Sequence, residues 1–75
     1  MGSAAGDSGW IPGATMGLIA ALSDSSPQVR GEAAHALGNL RAFTALEPLT
    51  RLLSDPDKFV QYETRLALSR LDSPR

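Results

Sequence analysis

The sequence has no cysteine, a single histidine and few aromatic residues, namely one tryptophan, one tyrosine and two phenylalanines. Without cysteine, neither a disulfide nor a thiolate zinc site can stabilise this short chain. Because His35 is the only imidazole, a metal site or a nucleophile–base pair would lack its usual partners. We therefore predict no catalytic residue, no bound metal and no cofactor.

An excess of charge of one sign and a long apolar run are also missing. Seven basic and eight acidic residues are spread along the chain and give a net charge of −1, whereas a nucleic-acid surface normally needs a concentrated basic face. No apolar run approaches the ~18–20 residues that span a bilayer, and the N-terminus lacks the pattern of a secretory signal. We expect no nucleic-acid partner, no membrane partner and a cytoplasmic location.

The dominant feature of the sequence is a period of 31 residues. Shifting residues 14–44 onto residues 45–75 superposes ten identical residues, most of them small or apolar. A period of this length is typical of repeat proteins, in which each unit buries its apolar face on a neighbour. The identical pairs are Ala14/Ala45, Leu18/Leu49, Leu22/Leu53, Ser23/Ser54, Asp24/Asp55, Val29/Val60, Glu32/Glu63, Ala36/Ala67, Leu37/Leu68 and Leu40/Leu71.

The apolar spacing predicts two helices in the first unit. The first covers residues 14–22, and the second begins at Pro27 and ends near Leu40. Ser26 suits the N-cap of the second helix because its hydroxyl can accept a free backbone N–H, and proline suits the first helical position. The residues expected to be buried are Leu18, Ile19 and Leu22 in the first helix, and Val29, Ala33, Ala36, Leu37 and Leu40 in the second.

Two more helices are predicted in the second unit. Thr44 and Glu47 have the spacing of a capping box and are expected to open the third helix, with a bend at Pro48. The fourth helix is expected over residues 58–71, after a turn at residues 55–57. The residues expected to be buried are Leu46, Leu49, Leu52 and Leu53 in the third helix, and Val60, Thr64, Ala67, Leu68 and Leu71 in the fourth.

This pattern predicts an all-α fold of two stacked helical hairpins, over residues 14–43 and 44–72. Residues 1–13 are interpreted as a flexible tail, whose Met-Gly-Ser start is typical of an expression-vector remnant, and residues 73–75 as a C-terminal tail. Trp10 and Ile11 are the exception in the first tail, because they are apolar enough to fold back over an exposed end.

Residues 22–40 and 53–71 resemble the short HEAT-like repeats of the phycobilisome lyase family and of many bacterial and archaeal scaffold proteins. The first unit has the Val29-Arg30 pair, small residues after it and a Leu37-Gly38 ending, whereas the second has Gln61 and Ser69 in place of the arginine and glycine. The resemblance implies an α–α superhelix whose second helices line a concave face. Arg30 is expected to pair with Asp24 or with Asp55, and its loss at Gln61 suggests that the second unit has no further repeat to bridge toward.

Partner-binding residues are expected at the outward positions of the second and fourth helices. Among them, Phe59, Tyr62 and Leu66 form an apolar row at i, i+3 and i+7. Three explanations of this row stay open: it packs on Trp10 and Ile11, it forms a homodimer contact, or it binds another protein. The predicted partner-binding set is Gln28, Glu32, His35, Asn39, Lys58, Phe59, Tyr62, Leu66 and Arg70.

Two groups of polar residues have a simpler interpretation than catalysis. A role as proton shuttle or ligand for His35 is less favoured than a histidine that faces solvent or a partner. The aspartates Asp55 and Asp57 are better explained by capping of the fourth helix than by cation binding.

These features favour a non-catalytic protein–protein interaction or scaffold module that associates with itself. Two hairpins have one internal interface and two unpaired ends, and solenoids usually need about three repeats or polar caps for stability. We expect no cap-like charge on the apolar side of the last repeat. The alternative is an accessory subunit or domain of a tetrapyrrole (phycobilin) lyase, whose catalytic groups would then lie in a partner.

Overall fold

The computed structural model describes residues 12–72, and the helices in this range form two hairpins. The first hairpin, repeat one, consists of α1 and α2, and the second, repeat two, consists of α3 and α4. Helices α2 and α4 make the most extensive contact between elements, so the two hairpins stack side by side. The predicted all-α fold of two stacked hairpins is confirmed. The elements are α1 at Pro12–Ala21, α2 at Pro27–Asn39, a 3-10 turn at Phe43–Ala45, α3 at Leu46–Leu52 and α4 at Lys58–Asp72.

The two hairpin turns cap the helices that follow them in the same way. Ser26 is the N-cap of α2, as predicted, and its hydroxyl accepts the backbone N–H of Val29 at 3.3 Å. One period later, a carboxylate oxygen of Asp57 accepts the backbone N–H groups of Phe59 at 2.9 Å and Val60 at 3.2 Å. The capping residue therefore lies at the same position of both repeats, although it is a serine in repeat one and an aspartate in repeat two.

The start of the third helix differs from the prediction. Residues 43–45 form a 3-10 turn, so Thr44 lies inside this turn, and the N-cap of α3 is Ala45 without a side-chain hydrogen bond. The capping box of Thr44 and Glu47 is therefore wrong. Glu47 instead lies in the first turn of α3, where it forms an exposed ion pair with Arg51 at 3.3 Å. Within the described residues, α1 already covers Pro12 and Gly13, ahead of the predicted start at Ala14.

Small residues in the core allow α2 and α4 to approach closely. Gly38 of α2 lies against Ala67 of α4, and a Cβ atom placed on Gly38 would stand 2.6 Å from the Cα atom of Ala67. Alanine supplies half of the buried core positions, and the leucines fill the remaining space. The buried cluster is Leu22, Ala33, Ala34, Leu37, Ala45, Leu49, Ala67 and Leu71.

Two apolar residues of repeat one are exposed, although they were predicted to be buried. Val29 and Leu40 lie at the surface, Leu40 with 56% of its side chain accessible, whereas their counterparts one period later, Val60 and Leu71, are 0% and 4% accessible. In repeat two these positions lie on α4, which packs against α2 of repeat one. Repeat one has no preceding hairpin within residues 12–72, so the same positions stay uncovered.

At the opposite end of the stack, residues of repeat two are exposed although they were predicted to be buried. Leu46 and Leu53 were predicted on the apolar side of the third helix, and they are 48% and 38% accessible. Leu22, the counterpart of Leu53 in repeat one, is buried. The helical period identifies the apolar side of each helix correctly, but it does not say whether a neighbour covers that side.

An ion pair joins the turns of the two repeats. The Arg30 guanidinium donates to both carboxylate oxygens of Asp55, at 2.7 and 3.1 Å, and also to the backbone carbonyl of Asp24 at 2.7 Å. The expected choice between Asp24 and Asp55 is therefore resolved, because Arg30 uses the carbonyl of one and the carboxylate of the other. The hydrogen bond from Arg30 holds the pKa of Asp55 below its ordinary value, and the same bond raises the pKa of Arg30.

Gln61 performs only part of the role of Arg30. Its side-chain amide donates to the backbone carbonyl of Asp55 at 2.6 Å, as Arg30 does to the carbonyl of Asp24. The shorter side chain thus stabilises its own turn but carries no charge toward a neighbouring repeat. In the first turn, the Asp24 carboxylate accepts the backbone N–H of Ser26 at 2.8 Å and is exposed.

None of the helices within residues 12–72 is both long enough and apolar enough to cross a membrane. Trp10, Ile11 and residues 73–75 lie outside the described residues.

Candidate functional site

The predicted partner-binding residues lie on two adjacent helices, α2 and α4. We call the outward side of these two packed helices the α2–α4 surface. The four predicted residues of α2 are all exposed, and on α4 the exposed ones are Lys58, Phe59 and Tyr62, while Leu66 and Arg70 are half-buried. Because α2 and α4 pack along their length, the surface runs continuously across both repeats.

Phe59 contacts the neighbouring repeat. A Cβ atom placed on Gly31 would stand only 2.3 Å from the Phe59 ring, so the ring lies directly over the bare backbone of this glycine. The sequence pattern did not predict this contact, which leaves Gly31 buried. Phe59 is therefore partly used for packing between repeats.

Tyr62 is the most accessible member of the predicted apolar row, with 55% of its side chain exposed. Leu66, one turn further along α4, is half-buried. The three residues of the row therefore differ in exposure. Phe59 is anchored on repeat one, Leu66 is partly covered and Tyr62 projects into solvent. Tyrosine in such a position offers a large contact area at a small loss of side-chain entropy on binding.

His35 belongs to a hydrogen-bonded group that joins the repeats. Its Nδ1 atom lies 3.0 Å from a carboxylate oxygen of Glu63, and its Nε2 atom lies 3.1 Å from the amide nitrogen of Asn39. Both contacts are satisfied when the neutral ring carries its proton on Nδ1, donates it to Glu63 and accepts from Asn39. The predicted partner-binding set did not include Glu63. Glu63 and Glu32 are nevertheless one of the identical pairs of the 31-residue period, which could have drawn attention to this position.

The charged residues of the α2–α4 surface are of both signs. On α2, the side-chain amide of Gln28 donates to the carboxylate of Glu32 one turn later. On α4, Lys58 lies at the first helical position and Arg70 in the last turn. Nη1 of Arg70 is buried and has no hydrogen-bond partner within residues 12–72. The surface therefore combines an exposed aromatic side chain with cations toward both ends of α4.

Both aspartates of the turn before α4 bind groups of the chain itself. Asp57 caps α4, and Asp55 is bound by Arg30 and by the backbone N–H of Asp57 at 2.9 Å. Within residues 12–72, no cluster of three or more histidine, aspartate or glutamate side chains could hold a metal ion. The capping explanation is correct for Asp57, whereas Asp55 serves the ion pair between the turns.

Stacked helical hairpins of one period define the class of α-helical repeat proteins. A family model described as HEAT repeats matches residues 15–75, and the chain belongs to this family. HEAT repeats commonly mediate interactions between proteins. Comparison with curated proteins and with solved structures gave no match.

Proposed function

We propose that this chain is a non-catalytic interaction module that binds another protein through the α2–α4 surface and also associates with itself. The observation that carries the first part is the exposed Tyr62, which lies between the anchored ring of Phe59 and the half-buried Leu66. Aromatic residues in a partly covered apolar setting are typical centres of protein interfaces.

The rigidity of the α2–α4 surface supports this proposal. The His35–Glu63 and Phe59–Gly31 contacts join side chains of the surface across the two repeats, and the His35–Asn39 contact holds the imidazole within α2. A surface that is ordered before binding loses less conformational entropy when a partner docks. The proposed partner presents an apolar or aromatic side chain to Tyr62.

The test compares three versions of the chain as bait in a lysate of the source organism, namely wild type, Tyr62→Ala and Arg51→Ala. Arg51 is a matched control because it is exposed on α3, away from the α2–α4 surface. We expect one protein to be retained by wild type and by Arg51→Ala, with retention reduced about tenfold by Tyr62→Ala, as for an interface hot spot. Equal retention by Tyr62→Ala would contradict the proposal.

The resemblance to short repeats of the phycobilisome lyase family supports one alternative function, that of an accessory subunit of a tetrapyrrole lyase. The residues behind it are the Val29-Arg30 pair and the Leu37-Gly38 ending. A shift of the visible absorbance band of a free bilin on mixing with the pure chain, reduced in the Tyr62→Ala variant, is the result that favours this alternative. A spectrum identical to that of the free bilin excludes pigment binding by the chain alone.

A further inference from the structure

Repeat two carries a second feature, a groove on the side of α3 and α4 that faces away from repeat one. The groove has a volume of 560 Å³. Its apolar part consists of Leu46 of α3, Leu53 at the C-cap of α3 and Leu68 of α4, and its polar part of Arg65, Ser69 and Asp72 of α4. Charge therefore does flank the apolar side of repeat two, contrary to the expectation from the sequence.

The period identifies what this groove corresponds to in repeat one. The residues that lie 31 positions before Leu53, Leu68 and Ser69 are Leu22, Leu37 and Gly38. All three of these counterparts are buried, and Gly38 lies directly against α4 of repeat two. The groove is thus the surface on which a following hairpin would stack in a longer solenoid.

Three side chains of repeat two oppose such a following hairpin. Ser69 has a Cβ atom where Gly38 has none, and at Gly38 this atom would stand 2.6 Å from the backbone of the neighbouring helix. Arg65 occupies the position of the fully buried Ala34. Gln61 lacks the charge with which Arg30 binds the next turn. Another hairpin therefore cannot stack here in the register that repeat two uses on repeat one.

The charges of the groove are complementary to those of a second copy. Arg65 and Asp72 are seven residues apart on α4, on either side of Leu68 and Ser69, so they lie about 10 Å apart along the helix axis. When two α4 helices pair antiparallel about a two-fold axis near Leu68, each Arg65 lies opposite Asp72 of the partner subunit. A parallel pairing instead places like charges together, so the charge pattern selects the antiparallel arrangement.

The position of Asp72 supports the same arrangement. It lies in the last described turn of α4, and the negative end of the helix dipole disfavours a carboxylate near a helix C-terminus. Basic residues are preferred at this end of a helix, so a cation from outside the helix would offset the unfavourable charge of Asp72. Arg65 of the partner subunit supplies that cation in the two-fold pairing.

We propose that this groove is a self-complementary interface through which two copies of the chain form a closed dimer. This inference rests on the self-association in the proposed function, and it assigns that association to a surface separate from the α2–α4 surface. Leu46, Leu53 and Leu68 of each copy form its apolar centre, and two reciprocal pairs of Arg65 with Asp72 of the partner subunit fix its orientation.

The experiment is sedimentation analysis of the full chain over a micromolar to millimolar concentration series. The variants are Arg65→Glu, Asp72→Arg and the double variant that exchanges the two charges. We expect a monomer–dimer equilibrium for wild type, a dissociation constant raised about tenfold or more by each single change, and recovery to within about threefold in the double variant. Circular dichroism melting of each variant shows whether the fold is retained.

Two further variants distinguish the groove interface from a general effect of charge and from binding at the α2–α4 surface. Arg51→Glu makes the same change of charge on another face of α3, and Tyr62→Ala removes the proposed partner contact, so both should leave the dimer intact. A wild type that is monomeric throughout, a double variant without recovery, open-ended polymers, or a dimer lost in Tyr62→Ala would each overturn the proposal. Dimerisation that appears only after deletion of residues 1–11 would also overturn it, because that segment would then occupy the groove.

Discussion

Thr64 is fully buried in α4, and its hydroxyl has no hydrogen-bond partner within residues 12–72. Thr64→Val keeps the shape of the side chain and removes the buried polar atom, so we expect the free energy of unfolding to rise by about 1 kcal/mol. Urea denaturation measures this change. The control Thr64→Ala removes the hydroxyl too but leaves a cavity, and it should be less stable than Thr64→Val. Equal stability of Thr64→Val and wild type would show that the hydroxyl is satisfied in solution.

Arg30 gives the chain a stability that depends on pH. Because its hydrogen bond lowers the pKa of folded Asp55 below the ordinary value of 3.8, the stability from this carboxylate is fully present above that value and is lost as the pH falls below it. We expect Arg30→Gln, which copies the residue at position 61, to be less stable than wild type at neutral pH. The difference should shrink at a pH below 3.8, because the carboxylate of the unfolded chain takes up its proton before that of folded Asp55 does.

Urea midpoints of wild type and Arg30→Gln at the two pH values check this prediction. Asp24→Asn is the control, because the first-turn carboxylate is exposed and its bond to Ser26 is short-range. A difference between wild type and Arg30→Gln that is the same at both pH values would mean that Arg30 acts through packing or through the Asp24 carbonyl alone.

At the scale of the helix, two glycines in different helices should respond oppositely to the same substitution. A Cβ atom on Gly17 of α1 meets no atom within 4 Å, whereas one on Gly38 of α2 meets the backbone of Ala67. Gly17→Ala should stabilise the chain by roughly 0.5–1 kcal/mol through helix propensity. Gly38→Ala should destabilise it by about 1–2 kcal/mol, because separation of α2 and α4 outweighs that gain. Thermal unfolding of both variants tests the contrast, and stabilisation by Gly38→Ala would refute the close packing described here.

Helix boundaries were predictable from the sequence where a local chemical signal exists. Ser26 and Pro27 mark the start of α2 correctly because capping is a local interaction between a side chain and nearby N–H groups. The start of α3 was wrong because Thr44 and Glu47 have the right spacing, but residues 43–45 form a 3-10 turn that removes Thr44 from the cap position. Spacing alone does not determine the backbone conformation before a helix.

At the scale of the whole molecule, the period predicted the stacking of hairpins but not which positions stay uncovered. Val29 and Val60 are identical in the repeat, yet Val29 is exposed and Val60 is buried. The difference depends on neighbours and not on the residue itself. The same limit applies to the site, where the four residues predicted on α2 are exposed but the Phe59–Gly31 contact was missed, because it forms between different repeats.

The three side chains that oppose a following hairpin lead to a prediction for assembly. Gln61→Arg, Arg65→Ala and Ser69→Gly together restore at these positions the residues of repeat one. We expect this triple variant to stack head to tail and grow into open-ended filaments, because a heterologous contact without closure does not limit itself to two subunits. Light scattering and electron microscopy would detect the filaments. A triple variant that forms no filaments at millimolar concentration would show that other residues also block stacking.

The exposed carboxylate of Asp24 has a practical consequence for protein engineering. In repeat two the equivalent Asp55 receives the arginine of the hairpin before it, so Asp24 offers a ready attachment point for a unit fused upstream, whereas the downstream side would first require redesign. Extension of this scaffold is therefore directional. A designer gains length by adding modules ahead of α1, each with an arginine at the position that corresponds to Arg30.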